Sequence, residues 1–280
     1  MAAFPTGAGA DAAQAPAVIC VHSSASSPRQ WDTLAPALGS RYRVIAPELI
    51  GYGAVPDWSY DRALALDDEA RRLEPLLNAE PDGAHLVGHS YGGAVVLWLA
   101  LRNPTRVRSA VLYEPALFAV LRETRSESHA AISSVTEIMS VRIAIRRSVY
   151  SGRAAHAAAA FVDYWAGAGA WAALDARRQA AITARMRKVD AEFDAVFDNA
   201  MPLAAYGRLD VPVLLLAGER TRRPTRRIAD LLGGVLPDVT RRELRGAGHM
   251  GPLTHAAEVN ARIGAFLEEQ RARAPLARAA

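Results

Sequence analysis

The sequence predicts an α/β protein: a mostly parallel sheet flanked by helices, with a helical segment inserted into it. Three observations carry this. Short, nearly continuous apolar runs recur along the chain, and runs of that length without polar alternation suit strands covered on both faces. Helix-like segments, closed by proline, glycine or asparagine, lie between them. Between Glu114 and Val211 the alternation fails, and roughly ninety residues pass without a convincing strand.

In chain order, the first strand is Ala17 to Val21 and the second Tyr42 to Ala46. A helix from about Leu66 to Asn78 stops ahead of Pro81-Asp82-Gly83, and Ala84 to Gly88 is the third strand. The apolar helix that includes Ala94 to Leu101 ends at Asn103-Pro104. Val107 to Tyr113 and Val211 to Ala217 follow as strands, with Thr240 to Leu244 a weaker sixth. The last helix is expected to be capped by Thr254, with Val259, Ile263, Phe266 and Leu267 on one face. Within the long interval the nearest strand-like stretch is Val141-Ile143-Ile145, soon followed by Arg146-Arg147. A structureless loop of that length is implausible in a compact domain. The expectation is a helical cap over 117–206, carried by a core of 17–116 and 207–280. Most of the cap aromatics (Phe161, Tyr164, Trp165, Trp171, Phe193, Phe197 and Tyr206) read as its own core rather than as ligand contacts.

Of the 280 residues, 51% are hydrophobic and 22% charged, the balance of an ordinary globular protein. The apolar stretch Gly93 to Leu101 is far shorter than the roughly 20 residues a membrane span needs, so no membrane partner is expected. Residues 1–16 read as a flexible N-terminal tail, not a targeting segment, because they lack a basic start and carry Asp11. The single cysteine, Cys20, fits a reducing compartment, and a cytoplasmic location is expected. The net charge of +4 comes from arginine-rich, alanine-rich usage and implies no nucleic-acid partner; Arg220 to Arg227 reads as a solvated loop and helix start. No spacing of His or Cys suggests a metal, and no cofactor is expected. Oligomeric state leaves no trace in the sequence.

The chemistry centres on residues 88–93, Gly-His-Ser-Tyr-Gly-Gly, between an apolar strand and an apolar helix. A serine hydroxyl needs a base to take its proton before it attacks a carbonyl. A sharp strand-to-helix turn exposes it, and the turn requires small residues two before and two after it. Gly88 and Gly92 meet that requirement around Ser90. Gly93 lets the helix approach the sheet, and the helix start offers free N–H groups to a developing negative charge.

From Ala17 to about Arg273 the chain resembles the α/β-hydrolase family, on three features: the turn at Ser90, His22-Ser23-Ser24 after the first strand, and Gly-Ala-Gly-His at 246–249 before the last helix. The resemblance implies the chain order nucleophile, acid, histidine. Among seven histidines only His249 and His255 lie late enough, and His249 occupies the glycine-flanked loop. His255 reads as a surface or capping residue, His89 as projecting away from the turn, and His22 as structural. Family members commonly carry an aspartate three residues beyond the glycine that ends the fifth strand; here that position is Thr221, which cannot bear a charge. Two acids remain: Glu114, in Leu-Tyr-Glu-Pro, and Glu219. Glu114 is preferred, since its placement 24 positions after Ser90 resembles haloalkane dehalogenases, whose acid sits on the strand next to the nucleophile's. Their own chemistry needs an aspartate nucleophile and is excluded by Ser90. The oxyanion donors implied are the backbone N–H groups of Tyr91 and Ser24, although Ser23 stands where the family pattern has glycine. His22 to Ser27 could equally be a polar turn whose serines cap a helix starting near Pro28. Glu48 to Gly53 resembles a structural family loop, and Arg222 or Arg223 could reach a substrate carboxylate.

The expected activity is hydrolysis of a carboxylic ester or related small-molecule acyl compound. Acyl transfer, C–C bond cleavage by the same residues, and a non-catalytic ligand-binding protein of the same fold are the alternatives.

Overall fold

The computed structural model describes residues 15–124, 128–199 and 201–277. The first fourteen residues of the expected N-terminal tail lie outside it. The strands are β1 (Ala17–Val21), β2 (Arg43–Ile45), β3 (Ala84–His89), β4 (Val107–Tyr113), β5 (Val213–Gly218) and β6 (Val239–Leu244). They form one sheet in the order β2-β1-β3-β4-β5-β6, and every adjacent pair is parallel. The strands match those expected from the apolar runs to within two residues, the ordinary scatter of strand ends.

The helices are α1 (Leu34–Leu38), α2 (Leu66–Asn78), α3 (Tyr91–Arg102), α4 (Phe118–Glu123), α5 (His129–Tyr150), α6 (Ala154–Ala166), α7 (Ala176–Ala184), α8 (Met186–Phe197), α9 (Arg223–Val235), α10 (Gly251–Thr254) and α11 (Ala256–Ala277). Side chains alternate across each strand, and the alternation builds two cores. Ala17, Ile19 and Val21 of β1 pack on the side that holds α2, α3 and α9. Val18 and Cys20 pack with Leu34 and Leu38 of α1 and with Val259, Ile263, Phe266 and Leu267 of α11. Because both faces are covered, the central strands are mainly apolar, with the buried polar groups His85, His89 and Ser109 among them.

Helix α2 buries Leu66, Ala70, Leu73 and Leu77 along one stripe. Its acidic first turn, Asp67 to Glu69, suits the positive end of the helix dipole. Thr254 ends α10 instead of capping α11; its hydroxyl contacts Met250 O (3.2 Å) and His255 Nδ1 (2.8 Å). The stretch between β4 and β5 is helical. Val141-Ile143-Ile145 lies within α5, whose N-cap Ser128 accepts from Ala131 N. Helix α7 is capped by Asp175 in the same way. Arg142 and Arg146 of α5 pair with Asp190 and Asp194 of α8, tying the two helices together.

Candidate active site

Ser90 stands at the junction of β3 and α3 with φ +55° and ψ −119°, a conformation that L side chains rarely adopt. Tight packing maintains it. Its N–H donates to Tyr113 O (3.0 Å), and its carbonyl accepts from the N–H groups of Gly93 (2.9 Å) and Ala116 (3.0 Å). A Cβ on Gly88 would lie 2.5 Å from Gly92 O, and one on Gly92 would lie 2.5 Å from His22 O. The turn therefore closes only with glycine at both positions.

The imidazole of His249, on the loop between β6 and α10, lies with Nε2 3.0 Å from Ser90 Oγ. Its Nδ1 is 2.7 Å from Glu114 Oε2. The carboxylate draws the ring proton to Nδ1 and leaves Nε2 free to accept from the serine. His89 Nε2 donates to His249 O (2.8 Å) and Tyr113 OH to Gly248 O (2.7 Å), which brace the loop from below. Burial holds the His89 pKa well below the ordinary histidine value, so that ring is a neutral strut.

Glu114 is fully buried, with φ +44°. Its Oε1 accepts from Gly218 N (2.8 Å), and its Oε2 from Thr221 Oγ1 (2.6 Å) as well as from His249. The alternative acid Glu219 accepts from Gly246 N (2.7 Å); it braces the loop that carries His249 and not the ring.

Ser24 and Tyr91 border the same pocket as Ser90. The Tyr91 N–H is the first of α3, a position with no intrahelical acceptor. Ser23, where the family pattern has glycine, is fastened by its N–H (3.2 Å) and its hydroxyl (3.0 Å) to Gln30 Oε1. Ser27 makes no capping bond to the turn that follows, so the polar-cap reading of these serines does not describe this loop. His22 donates from Nδ1 to Ser23 O (2.8 Å), and burial pushes its pKa down to about 4, as suits a neutral structural ring.

The pocket is narrow, with a cavity volume of about 20 Å³, and it opens to solvent. Phe161, Trp165 and Phe193 border it; Trp165 and Phe193 belong to the hydrophobic core together with Phe197 and Tyr206, and Phe161 packs against it. The Trp165 ring lies over His249, with centroids 4.0 Å apart and planes tilted by 32°. Arg222 donates to Tyr164 O (2.9 Å) and Arg223 lies 3.8 Å from Glu137. Both arginines join the start of α9 to the helical segment, and neither borders the pocket.

A buried charged cluster adjoins the pocket and escaped sequence reasoning. Lys188 Nζ lies 2.8 Å from Glu69 Oε1 and 3.1 Å from Glu192 Oε1. Tyr52 OH donates to Glu192 Oε1 (2.9 Å) and accepts from Ala25 N (2.9 Å), which links the cluster to the loop that carries Ser24. Burial opposes the Lys188 charge, but the two carboxylates outweigh it and raise its pKa. One signal was available: Lys188 is the only lysine in a chain that otherwise uses arginine. A compact ammonium fits between two carboxylates where a planar guanidinium would not.

Among the described residues no group of three or more His, Cys, Asp or Glu side chains could hold a metal ion. No helix among them is long and apolar enough to cross a membrane.

Several known proteins are similar. The chain is 40% identical over 85 residues, 29% of each chain, to 2-hydroxymuconate semialdehyde hydrolase of a Pseudomonas species. It is 36% identical over 101 residues to the lipase LipV of Mycobacterium tuberculosis, 36% of this chain and 37% of that one. These matches span about a third of the relatives' length. Among solved structures, MenH from S. aureus superposes with a TM-score of 0.70 at 17% identity, covering 96% of this chain and 97% of that one. Carboxylesterase CesB from Bacillus subtilis superposes with a TM-score of 0.66 at 22% identity, covering 91% and 84%; at such identities the likeness is one of fold. With the model of the alpha/beta hydrolase family matching residues 18–262, the chain belongs to that family.

Proposed function

We propose that the protein is a serine hydrolase that cleaves a carboxylic ester or related acyl compound through an acyl-enzyme. The observation that carries this reading is the unbroken hydrogen-bonded line from Ser90 Oγ through His249 to Glu114. Ser90 Oγ attacks the acyl carbon as its proton passes to His249 Nε2. The tetrahedral intermediate then collapses, and the leaving alcohol takes that proton. Water, deprotonated by the same nitrogen, next attacks the acyl-enzyme, releases the acid and restores Ser90. Glu114 holds the ring's tautomer and offsets the charge of the imidazolium. The N–H groups of Tyr91 and Ser24 receive the oxyanion, each worth about 3 kcal/mol in the transition state.

In this reading α4 to α8 act as a cap whose Phe161, Trp165 and Phe193 shape an apolar pocket for a small-molecule acyl substrate. The chemistry requires no metal or organic cofactor, nucleic acid or membrane, and a free buried Cys20 suits a cytoplasmic setting. A second reading, C–C bond cleavage by the same residues, draws support from the likeness to 2-hydroxymuconate semialdehyde hydrolase.

The test is a screen of acyl esters, thioesters and lactones against the intact protein and Ser90→Ala, alongside labelling with a fluorophosphonate probe. Turnover and labelling that both vanish in Ser90→Ala are expected. An unlabelled Ser90 with no product burst from activated esters would instead identify a binding protein of the same fold.

A further inference from the structure

Glu192 sits on α8 with 2% of its surface exposed, and it borders the pocket shared by Ser90, Tyr91, Trp165 and Phe193. Its Oε1 is occupied twice, by Lys188 Nζ and Tyr52 OH. Its Oε2, equally buried, has no hydrogen-bond partner among the described residues. A buried carboxylate oxygen left unpaired is costly, and the donors of the cluster are directed at other oxygens. The Tyr52 hydroxyl proton is already directed at Oε1. The Lys188 ammonium is held between Oε1 and Glu69. Tyr91 OH points to Glu69 Oε1 at 3.4 Å.

The charges tell the same story. Glu69 and Glu192 contribute two carboxylates, and among the described residues Lys188 is the one cation hydrogen-bonded to them. The next cation, Arg185, donates to the carbonyls of Ala25 and Ser26 and lies over the Tyr52 ring, bonded to neither acid. Apart from Ser24, Ser90 and Tyr91, the other residues that border the pocket with Glu192 are apolar: Ala116, Phe118, Phe161, Trp165, Phe193 and Val196. Away from the catalytic serine and the Ser24 loop, the pocket therefore combines a mainly apolar lining with one carboxylate.

We propose that Glu192 is a specificity-determining residue that receives a hydrogen-bond donor, a hydroxyl or an amine, carried on the otherwise apolar body of the acyl substrate. The same oxygen disfavours substrates that bring a carboxylate to this place. This rests on the hydrolase reading above and adds the substrate class to it.

The experiment compares kcat/KM on nitrophenyl esters of butyrate, β-hydroxybutyrate and β-aminobutyrate and on the nitrophenyl half-ester of succinate. Wild type, Glu192→Gln and Glu192→Leu are assayed. The wild type should prefer the hydroxyl or amino ester over plain butyrate by about tenfold or more, as for a hydrogen bond to a charged group, with the succinate half-ester slowest. Which of the two donors is favoured separates an alcohol-bearing from an amine-bearing substrate. Glu192→Gln should narrow the gap between amino and succinate esters by about tenfold, and Glu192→Leu should remove the donor preference. Equal wild-type rates on all four esters, with Ser90 still labelled by fluorophosphonate, overturn the Glu192 assignment alone. Failure of both labelling and turnover in wild type removes the hydrolase reading and this one with it. Because the wild-type series decides by itself, a variant that does not fold leaves the test intact.

Discussion

Thr221 donates its hydroxyl to Glu114 at 2.6 Å. The position where the family resemblance implies an aspartate thus serves the glutamate on the neighbouring strand. Both strand ends open onto the same edge of the parallel sheet, so a carboxylate from either can meet the His249 loop.

Glu114→Gln should lower kcat by roughly three to four orders of magnitude, since an amide neither fixes the tautomer nor offsets the imidazolium charge. Glu219→Gln should leave kcat nearly unchanged. Steady-state kinetics on an activated ester check both, and the reverse ranking would move the acid to the later loop.

Thr221→Val removes one donor from the buried carboxylate and should reduce kcat about threefold to tenfold, with KM little altered. Adding Thr221→Asp to Glu114→Gln should recover at least about tenfold of the lost rate, because the new carboxylate occupies the alternative strand end. No recovery would mean that the position cannot reach the ring.

Trp165 covers one face of His249. Trp165→Ala should lower kcat/KM about tenfold, the scale of an aromatic contact, while Trp165→Phe keeps most of it. Equal losses in the two variants would indicate that ring stacking is not the cause.

Lys188→Met leaves two buried carboxylates facing each other without a cation and should destabilise the fold by about 3–5 kcal/mol. Urea unfolding measures this. A loss under about 1 kcal/mol would argue that water reaches the cluster.

Burial pushes the pKa of His22 and of His85 from 6.5 down to about 4. Both rings are neutral when folded, and on unfolding they take up protons below pH 6.5. Stability from these sites is therefore complete above pH 6.5 and falls as pH drops toward 4, by about 1.4 kcal/mol per pH unit per ring. His85→Gln should flatten the slope of unfolding free energy with pH in that window by about one proton. An unchanged slope would show that the ring is already protonated in the folded state.

The elements that could be read in advance are those whose signal is local. Gly88, Ser90 and Gly92 lie within five residues, and the steric demand of a tight turn involves little else. Apolar runs such as Ala17 to Val21 mark strands because both faces of a parallel sheet are covered. The sixth strand was weaker because Val239–Leu244 sits at the sheet edge with exposed arginines.

Sequence by itself determined the sheet, the turn at Ser90 and the short set of acids and histidines that could meet there, since each follows from spacing along a few residues. Tertiary structure alone decided that Glu114, not Glu219, faces His249, and that Trp165 lies over the imidazole. It also showed that Lys188 and Glu192, spaced like an ordinary surface ion pair on a helix, are buried. Their partners Glu69 and Tyr52 are 119 and 140 residues away. Burial of charge depends on what the chain brings back over such distances, and no local pattern records it.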